Sequence, residues 1–191
     1  MIKALILDCF GVFFADPIFK YMRNPNTLPE DARALHTLDD QAAHGLLSKS
    51  NFIEKASVIL GSSHKDIEQI FFQQMDRNDE LLDMILKARD TYKFALLSNI
   101  GADMMDGFFT PNERQSIFDT VILSGEVKLA KPDPAIFELT LGELGVQPAE
   151  AVFIDDSENH IKGALALGIP SIQFESNLQL KTELAKIGVN I

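Results

Sequence analysis

Five short runs of the chain are apolar almost without interruption: Ile2 to Leu7, Tyr92 to Leu97, Thr120 to Leu123, Ala151 to Ile154 and Ser171 to Phe174. A strand with one wet face alternates apolar and polar residues, so a run that is apolar throughout must be covered on both faces. The pattern predicts an α/β fold, a Rossmann-like parallel sheet flanked by helices. The covering helices are legible too. Pro134 to Leu144 starts at a proline, places Ile136, Phe137, Leu139, Leu141 and Leu144 at helical positions, and stops at Gly145. Two more helices are expected from about Ser157 to Leu167, stopping at Gly168 before Pro170, and from about Asn177 to Ile187, stopping at Gly188.

Between Ala15 and Lys93 no strand pattern occurs, and the periodicity is helical in Pro29 to Leu38, Ser50 to Leu60, His64 to Met75 and Asp79 to Ala88. Asn24 to Pro29 and Gly61 to Ser63 read as turns between these helices. The expected organisation is a core of residues 1–15 and 89–191, with a helical insertion over 16–88. The insertion would form a small cap at the end of the sheet, its last helix returning to the core. Neither internal repeats nor low-complexity tracts interrupt this plan.

Of the 191 residues 46% are hydrophobic, enough for a sizeable core, and 28 acidic against 17 basic side chains give a formal net charge of −11. That sign argues against duplex nucleic acid or an anionic bilayer as principal partner, since both are polyanions that call for clustered Lys and Arg. A small anionic ligand held by local groups remains compatible with it. Cys9 is the one cysteine, so neither an internal disulfide nor a cysteine-rich metal cluster can form. The beginning MIKALILDCF lacks the form of a signal peptide, and no stretch nears the roughly 18 apolar residues of a spanning helix. A soluble, cytoplasmic protein is expected.

Chemistry-bearing residues fall where the strands end. Asp8 closes the first run inside an otherwise apolar dozen, Ser98 and Asn99 follow the second, Lys131 lies in the loop after the third, and Asp155 and Asp156 close the fourth. Each has an ordinary reading when taken singly. A strand-end Asp accepts turn amides, Ser-Asn is a common turn, and a loop lysine is usually a solvated charge. Their shared placement is the signal, because ligands of parallel sheets bind outside the carboxyl ends of the strands. Together they supply a carboxylate nucleophile, a hydroxyl and an ammonium for a tetrahedral anion, and an acidic pair whose repulsion a cation would relieve. Hard oxygen ligands of this kind suit a magnesium ion, Mg2+. No G-x-S-x-G elbow, phosphate loop, G-x-G-x-x-G or zinc-type histidine spacing is present. His36, His44 and His64 read as surface residues of the insertion. The pairs Phe13-Phe14, Phe71-Phe72 and Phe108-Phe109 read as packing in the core and along the seam with the cap.

Four segments in order, LILDCFGVFF, ALLSN, SGEVKLAKPDPAIFELTLGELGV and VFIDDSENHIKGALALGI, resemble the motifs of the haloacid dehalogenase-like (HAD) hydrolase superfamily, whose members are mostly phosphatases. The resemblance covers the first 15 residues or so and Tyr92 to Phe174, and it makes the insertion a C1-type cap by position and character. It implies that Asp8 is a nucleophile forming an aspartyl phosphate, that Ser98, Asn99 and Lys131 bind the transferring phosphoryl group, and that Lys131 also assists catalytically. It further implies that Asp8, the backbone carbonyl of Phe10, Asp155 and Asp156 hold Mg2+, with Asp155 standing where many members have Gly.

Two positions depart from the family pattern. Phe10 stands where the phosphatases usually carry a second Asp that protonates the leaving oxygen and then activates water. His160 stands where an Asp or Asn often follows, and reads as a cap of the turn. The expected function is Mg2+-dependent hydrolysis of a small phosphorylated metabolite. Dehalogenase members often have an aromatic residue at the position of Phe10, so carbon–halogen hydrolysis is the first alternative, opposed by the acidic pair. A phospho-ligand or partner-binding protein that has lost its proton-transfer group is the second.

Overall fold

The computed structural model of the protein describes residues 1–72 and 76–191. The chain runs β1 (Ala4–Leu7), α1 (Pro17–Met22), α2 (Pro29–Ala43), α3 (Lys49–Leu60), α4 (His64–Phe72), α5 (Asp79–Ala88), β2 (Lys93–Ser98), α6 (Pro111–Ile117), β3 (Thr120–Leu123), α7 (Ser124–Val127), α8 (Pro134–Leu144), β4 (Ala151–Asp155), α9 (Glu158–Ala166), β5 (Ser171–Gln173) and α10 (Asn177–Lys186). The five strands form one parallel sheet in the order β3-β2-β1-β4-β5, which leaves β1 between β2 and β4 at the centre.

Alternate residues of the apolar runs enter two different layers. Leu5, Leu7, Phe94, Leu96, Val152 and Ile154 join the layer that holds Leu81 and Ile85 of α5 and Leu180 and Leu184 of α10. Their neighbours Ala4, Ile6, Ala95, Leu97, Ala151 and Phe153 join Ile136, Phe137, Leu141 and Ile161 of α8 and α9. Each fully buried aliphatic or aromatic side chain contributes roughly 1.5–3 kcal/mol relative to exposure. A strand with both faces covered therefore gains from apolar residues at every position.

The stretch between β1 and β2 is helical, as expected. α5 turns back to the core through Asn78, which hydrogen-bonds Asn177 (2.9 Å), and through Glu80, which meets Lys181 (3.3 Å). α2 runs to Ala43, five residues beyond the expected end at Leu38, because Ala42 and Ala43 continue its buried face. α4 begins at His64 as read, and the last three residues of that expected helix, 73–75, lie outside the described residues. The Phe13-Phe14 and Phe108-Phe109 pairs stack edge to face, with ring centroids 5.2 to 5.5 Å apart. Phe71 and Phe72 pack on Phe52 within the insertion.

Three helices were not anticipated: α1, α6 and the four-residue α7. α1 has Asp16 as N-cap, accepting from Phe19 N, and Pro17 in its first turn. α6 has a Thr110–Glu113 capping box and Pro111 in its first turn. α1 buries no residue and α6 only Ile117, so hydrophobic periodicity was silent and the capping residues were the available signal. Among the described residues no helix is long and apolar enough to cross a membrane.

Candidate active site

Asp8 follows β1 directly, and its amide extends the ladder by donating to Ile154 O (2.9 Å). The chain then turns tightly. Phe13 N donates to Cys9 O, Gly11 N donates to Phe14 O, and Gly11 adopts a left-handed φ of 79°. The turn folds Cys9 N onto Asp8 Oδ1 at 2.7 Å, fixing the carboxylate at the sheet end.

Lys131 reaches this carboxylate from the loop before α8. Its buried ammonium pairs with Asp8 Oδ1 (2.7 Å) and donates to Asp155 Oδ2 (2.7 Å) and Leu97 O (3.0 Å). Asn99 holds that loop from both sides, accepting from Lys131 N (2.8 Å) and donating to Lys131 O (2.9 Å). Its amide group is thus engaged with backbone, although the residue also lines the cleft.

The adjacent carboxylates part company. Asp155 is the last residue of β4 and fully buried. It accepts from Lys131, from Ser157 N (2.8 Å) and from His160 Nδ1, which lies 3.1 Å from both its oxygens. Asp156 is exposed to the cleft and lies over Gly11, where an added Cβ would fall inside its carboxylate. Successive strand side chains point to opposite sides, which separates the two residues. Ligand atoms of Asp8, Asp155 and His160 lie within 4.8 Å of one another, so the tightest cluster includes the histidine and leaves Asp156 outside it. Ser98 Oγ is fully buried and has no hydrogen-bond partner among the described residues.

Electrostatics follow from this geometry. Burial favours a neutral Asp155, yet Lys131 and His160 hold its carboxyl down at about 2. Lys131 is likewise opposed by burial and pushed up by Asp155 and Asp8. Asp8 is the surplus carboxylate. Burial first and Asp155 second raise it well above the usual range, against the pull of Lys131.

Above the strand ends lies a cavity of about 670 Å³, floored by Asp8, Phe10, Lys131 and Asp156 and roofed by Asp16, Phe19, Arg23, His36, Asp39 and Asp40 from the insertion. His36, His44 and His64 are all exposed, and His36 lines this cavity. The roof residues were not read from the sequence. The spacing of His36, Asp39 and Asp40 beside buried Leu35, Leu38 and Ala42 on α2 was the signal that a polar face borders the apolar one.

Gly11 is the backbone position this site depends on. Gly11→Ala should cost roughly 1–3 kcal/mol of stability from the left-handed conformation and displace Asp156. The expected result is a lower melting temperature together with loss of divalent-cation binding by calorimetry.

The comparisons with known proteins agree with this architecture. A family described as haloacid dehalogenase-like hydrolase matches residues 15–174. The structure of a HAD family enzyme of Bacteroides thetaiotaomicron, in complex with magnesium and inorganic phosphate, superposes with a TM-score of 0.74 at 28% identity, covering 93% of this chain and 96% of that one. L-2-haloacid dehalogenase of Xanthobacter autotrophicus superposes with a TM-score of 0.66 at 21% identity over 100% and 85% of the two chains, a likeness of fold. D-ribitol-5-phosphate phosphatase of Bacteroides thetaiotaomicron is 30% identical over 123 residues, 61% of this chain and 59% of that protein. Three further curated relatives match over 61 to 90 residues, 8% to 25% of their length, so the chain spans only a small part of those proteins.

Proposed function

The chain belongs to the haloacid dehalogenase-like hydrolase family, and on that premise we propose that it is a Mg2+-dependent phosphatase of a small phosphorylated metabolite, working through an aspartyl-phosphate intermediate. The observation that carries this reading is the buried Asp8, fixed by Cys9 N and paired with Lys131 at the floor of the cleft. Asp8 attacks phosphorus. Lys131 stabilises the charge of the transferring group, and the unpartnered Ser98 hydroxyl donates to one of its oxygens. Asn99 positions Lys131 through the loop backbone. The helical insertion closes the cleft as a cap and supplies its roof.

The donor set suits Mg2+. Asp8 and Asp155 share one ammonium, which leaves one buried carboxylate uncompensated, and the available oxygens are hard. Asp8, the Phe10 carbonyl and Asp156 would hold the ion, which supplies positive charge for the phosphoryl oxygens. Asp155, with its oxygens engaged by Lys131, His160 and Ser157, orients Lys131 and completes the acidic site. Phe10 favours one second reading, carbon–halogen hydrolysis at Asp8, since it lines the cleft and packs on Phe108 at 4.8 Å.

A panel of phosphate esters, acyl phosphates and 2-haloacids, each assayed with Mg2+ and with EDTA, separates these readings. Hydrolysis of phosphate esters that EDTA abolishes is expected. Metal-independent release of halide alone would replace the phosphatase reading with the dehalogenase one, and inertness toward the whole panel would point to a binding protein. Mg2+ should also raise the melting temperature of the wild type, and much less that of Asp156→Ala, because the ion binds the native state. Equal metal-induced shifts in the two proteins would remove Asp156 from the site.

A further inference from the structure

We propose that Asp39, on the insertion helix α2, is the catalytic acid and base of this site, filling the role for which Phe10 has no chemistry. The proposal rests on the phosphatase reading above and adds to it a residue from the roof of the cleft.

The direction of the reaction selects the roof. In phosphoryl transfer the attacking and leaving oxygens lie roughly in line with phosphorus between them. Asp8 is at the floor, so the leaving oxygen departs toward the insertion. The floor groups are also committed, with Lys131 and His160 both bonded to Asp155 and Asp156 lying against Gly11.

Asp39 stands where that proton is needed. It lines the main cavity with Asp8 and Lys131, and also a smaller adjoining cavity whose walls include Phe10, Ile100, Met104 and Phe108. Phe10 lines the same two cavities. Asp16 shares both cavities, but its carboxylate caps α1 by accepting from Phe19 N at 2.9 Å. Asp39 has no side-chain hydrogen bond or ion pair to any other described residue. The charged and titratable groups that share its cavity are Asp16 before α1, Asp40 and His36 on its own helix, Arg23 at the end of α1, whose guanidinium lies 4.0 Å over the Phe19 ring, and Asp8, Lys131, Asp156 and His160 from the sheet side. Burial, then Asp16 and Asp40, push the Asp39 carboxyl up to about 7. An acid poised near neutrality can give a proton in one half-reaction and take one in the next.

The steps balance. Asp8 Oδ forms a bond to phosphorus as the ester P–O bond breaks, and the Asp39 proton goes to the leaving oxygen, giving a neutral alcohol and an Asp39 carboxylate. Water then attacks the phosphorus of the aspartyl phosphate. Its proton goes to Asp39 as the bond to Asp8 breaks, releasing inorganic phosphate and restoring both residues.

The test is kcat/KM for Asp39→Asn with Mg2+ over phosphate monoesters of graded leaving-group pKa, from p-nitrophenyl phosphate to alkyl phosphates. kcat/KM reports the steps through phosphorylation of Asp8. The alkyl esters should lose about 100-fold or more and p-nitrophenyl phosphate only a few-fold, and the alkaline limb of the wild-type profile near pH 7 should vanish. Rapid mixing of the variant with p-nitrophenyl phosphate should show a burst of p-nitrophenol as hydrolysis of the intermediate lags. Asp39→Ser serves as a second variant if the asparagine form folds poorly. Equal losses across the panel with an unmoved pH profile would overturn the proposal, as would a steep leaving-group dependence in Asp16→Asn and not in Asp39→Asn. A wild type that hydrolyses no phosphate monoester would overturn the phosphatase reading and this proposal with it. A wild type that hydrolyses them while Asp39→Asn stays unchanged would overturn this proposal alone.

Discussion

Asp8→Asn is expected to lower turnover of a phosphate ester by on the order of 10⁴-fold or more while leaving the protein folded. The amide keeps the shape of the side chain and its oxygen can still accept from Cys9 N and Lys131, which now meet Asp8 Oδ1 at 2.7 Å each. What disappears is the charge that in the proposed mechanism attacks phosphorus and helps to hold the metal. Stability should be largely preserved. Burial and Asp155 already oppose ionisation of Asp8, so a neutral isostere removes an unfavourable buried charge while Lys131 keeps Asp155 as its partner. The measurements are a steady-state assay and a melting curve on the same preparation. Full activity in a folded variant would exclude Asp8 as the nucleophile, whereas loss of both activity and folding would leave the role open and call for Asp8→Ser.

What the sequence disclosed depended on the kind of signal each residue left. The sheet was legible because β1, β2 and β4 are buried on both faces, so unbroken apolar runs admitted few other readings. The floor of the cleft was legible for a related reason. Polar residues that end apolar runs are conspicuous, and parallel topology brings those ends together, as it does Asp8, Lys131 and Asp155. The separate contacts of Asp155 and Asp156 were not legible, since two identical neighbours differ only in which side of the strand end they occupy. Nor was His160, whose contact with Asp155 arises once Ser157 starts α9 and the first helical turn carries the imidazole back. The roof was hardest to read, because Asp16, Arg23 and Asp39 sit on helices that match no motif. A charged residue on a helix reads as solvated until another element closes over it.

Lys131→Met should be the most damaging single change to stability in the site. The substitution keeps the apolar stem but removes the ammonium, leaving Asp8 and Asp155 buried side by side and the Leu97 carbonyl without its donor. Breaking a buried ion pair by deleting one partner costs about 3–5 kcal/mol. For a domain of this size that corresponds to a melting temperature lower by roughly 6–20 °C.

The loss should depend on pH with a definite sign. Lys131 is the main attraction holding the folded Asp155 carboxyl at about 2, below its ordinary value, against the burial that favours its neutral form. That interaction stabilises the fold above about pH 4 and fades as pH falls toward 2. The gap between wild type and variant should therefore be widest near neutrality and narrow in acid. Adding Asp155→Asn to Lys131→Met should recover part of the stability, since the second change removes a charge the first left unpaired. Phosphatase activity should stay lost in both, because in the proposed mechanism Lys131 also stabilises the transferring phosphoryl group. Melting curves from pH 3 to 7 on the single and double variants measure all of this. A pH-independent deficit, or no recovery in the double variant, would mean that packing around the Lys131 stem, and not its charge, holds the floor of the cleft together.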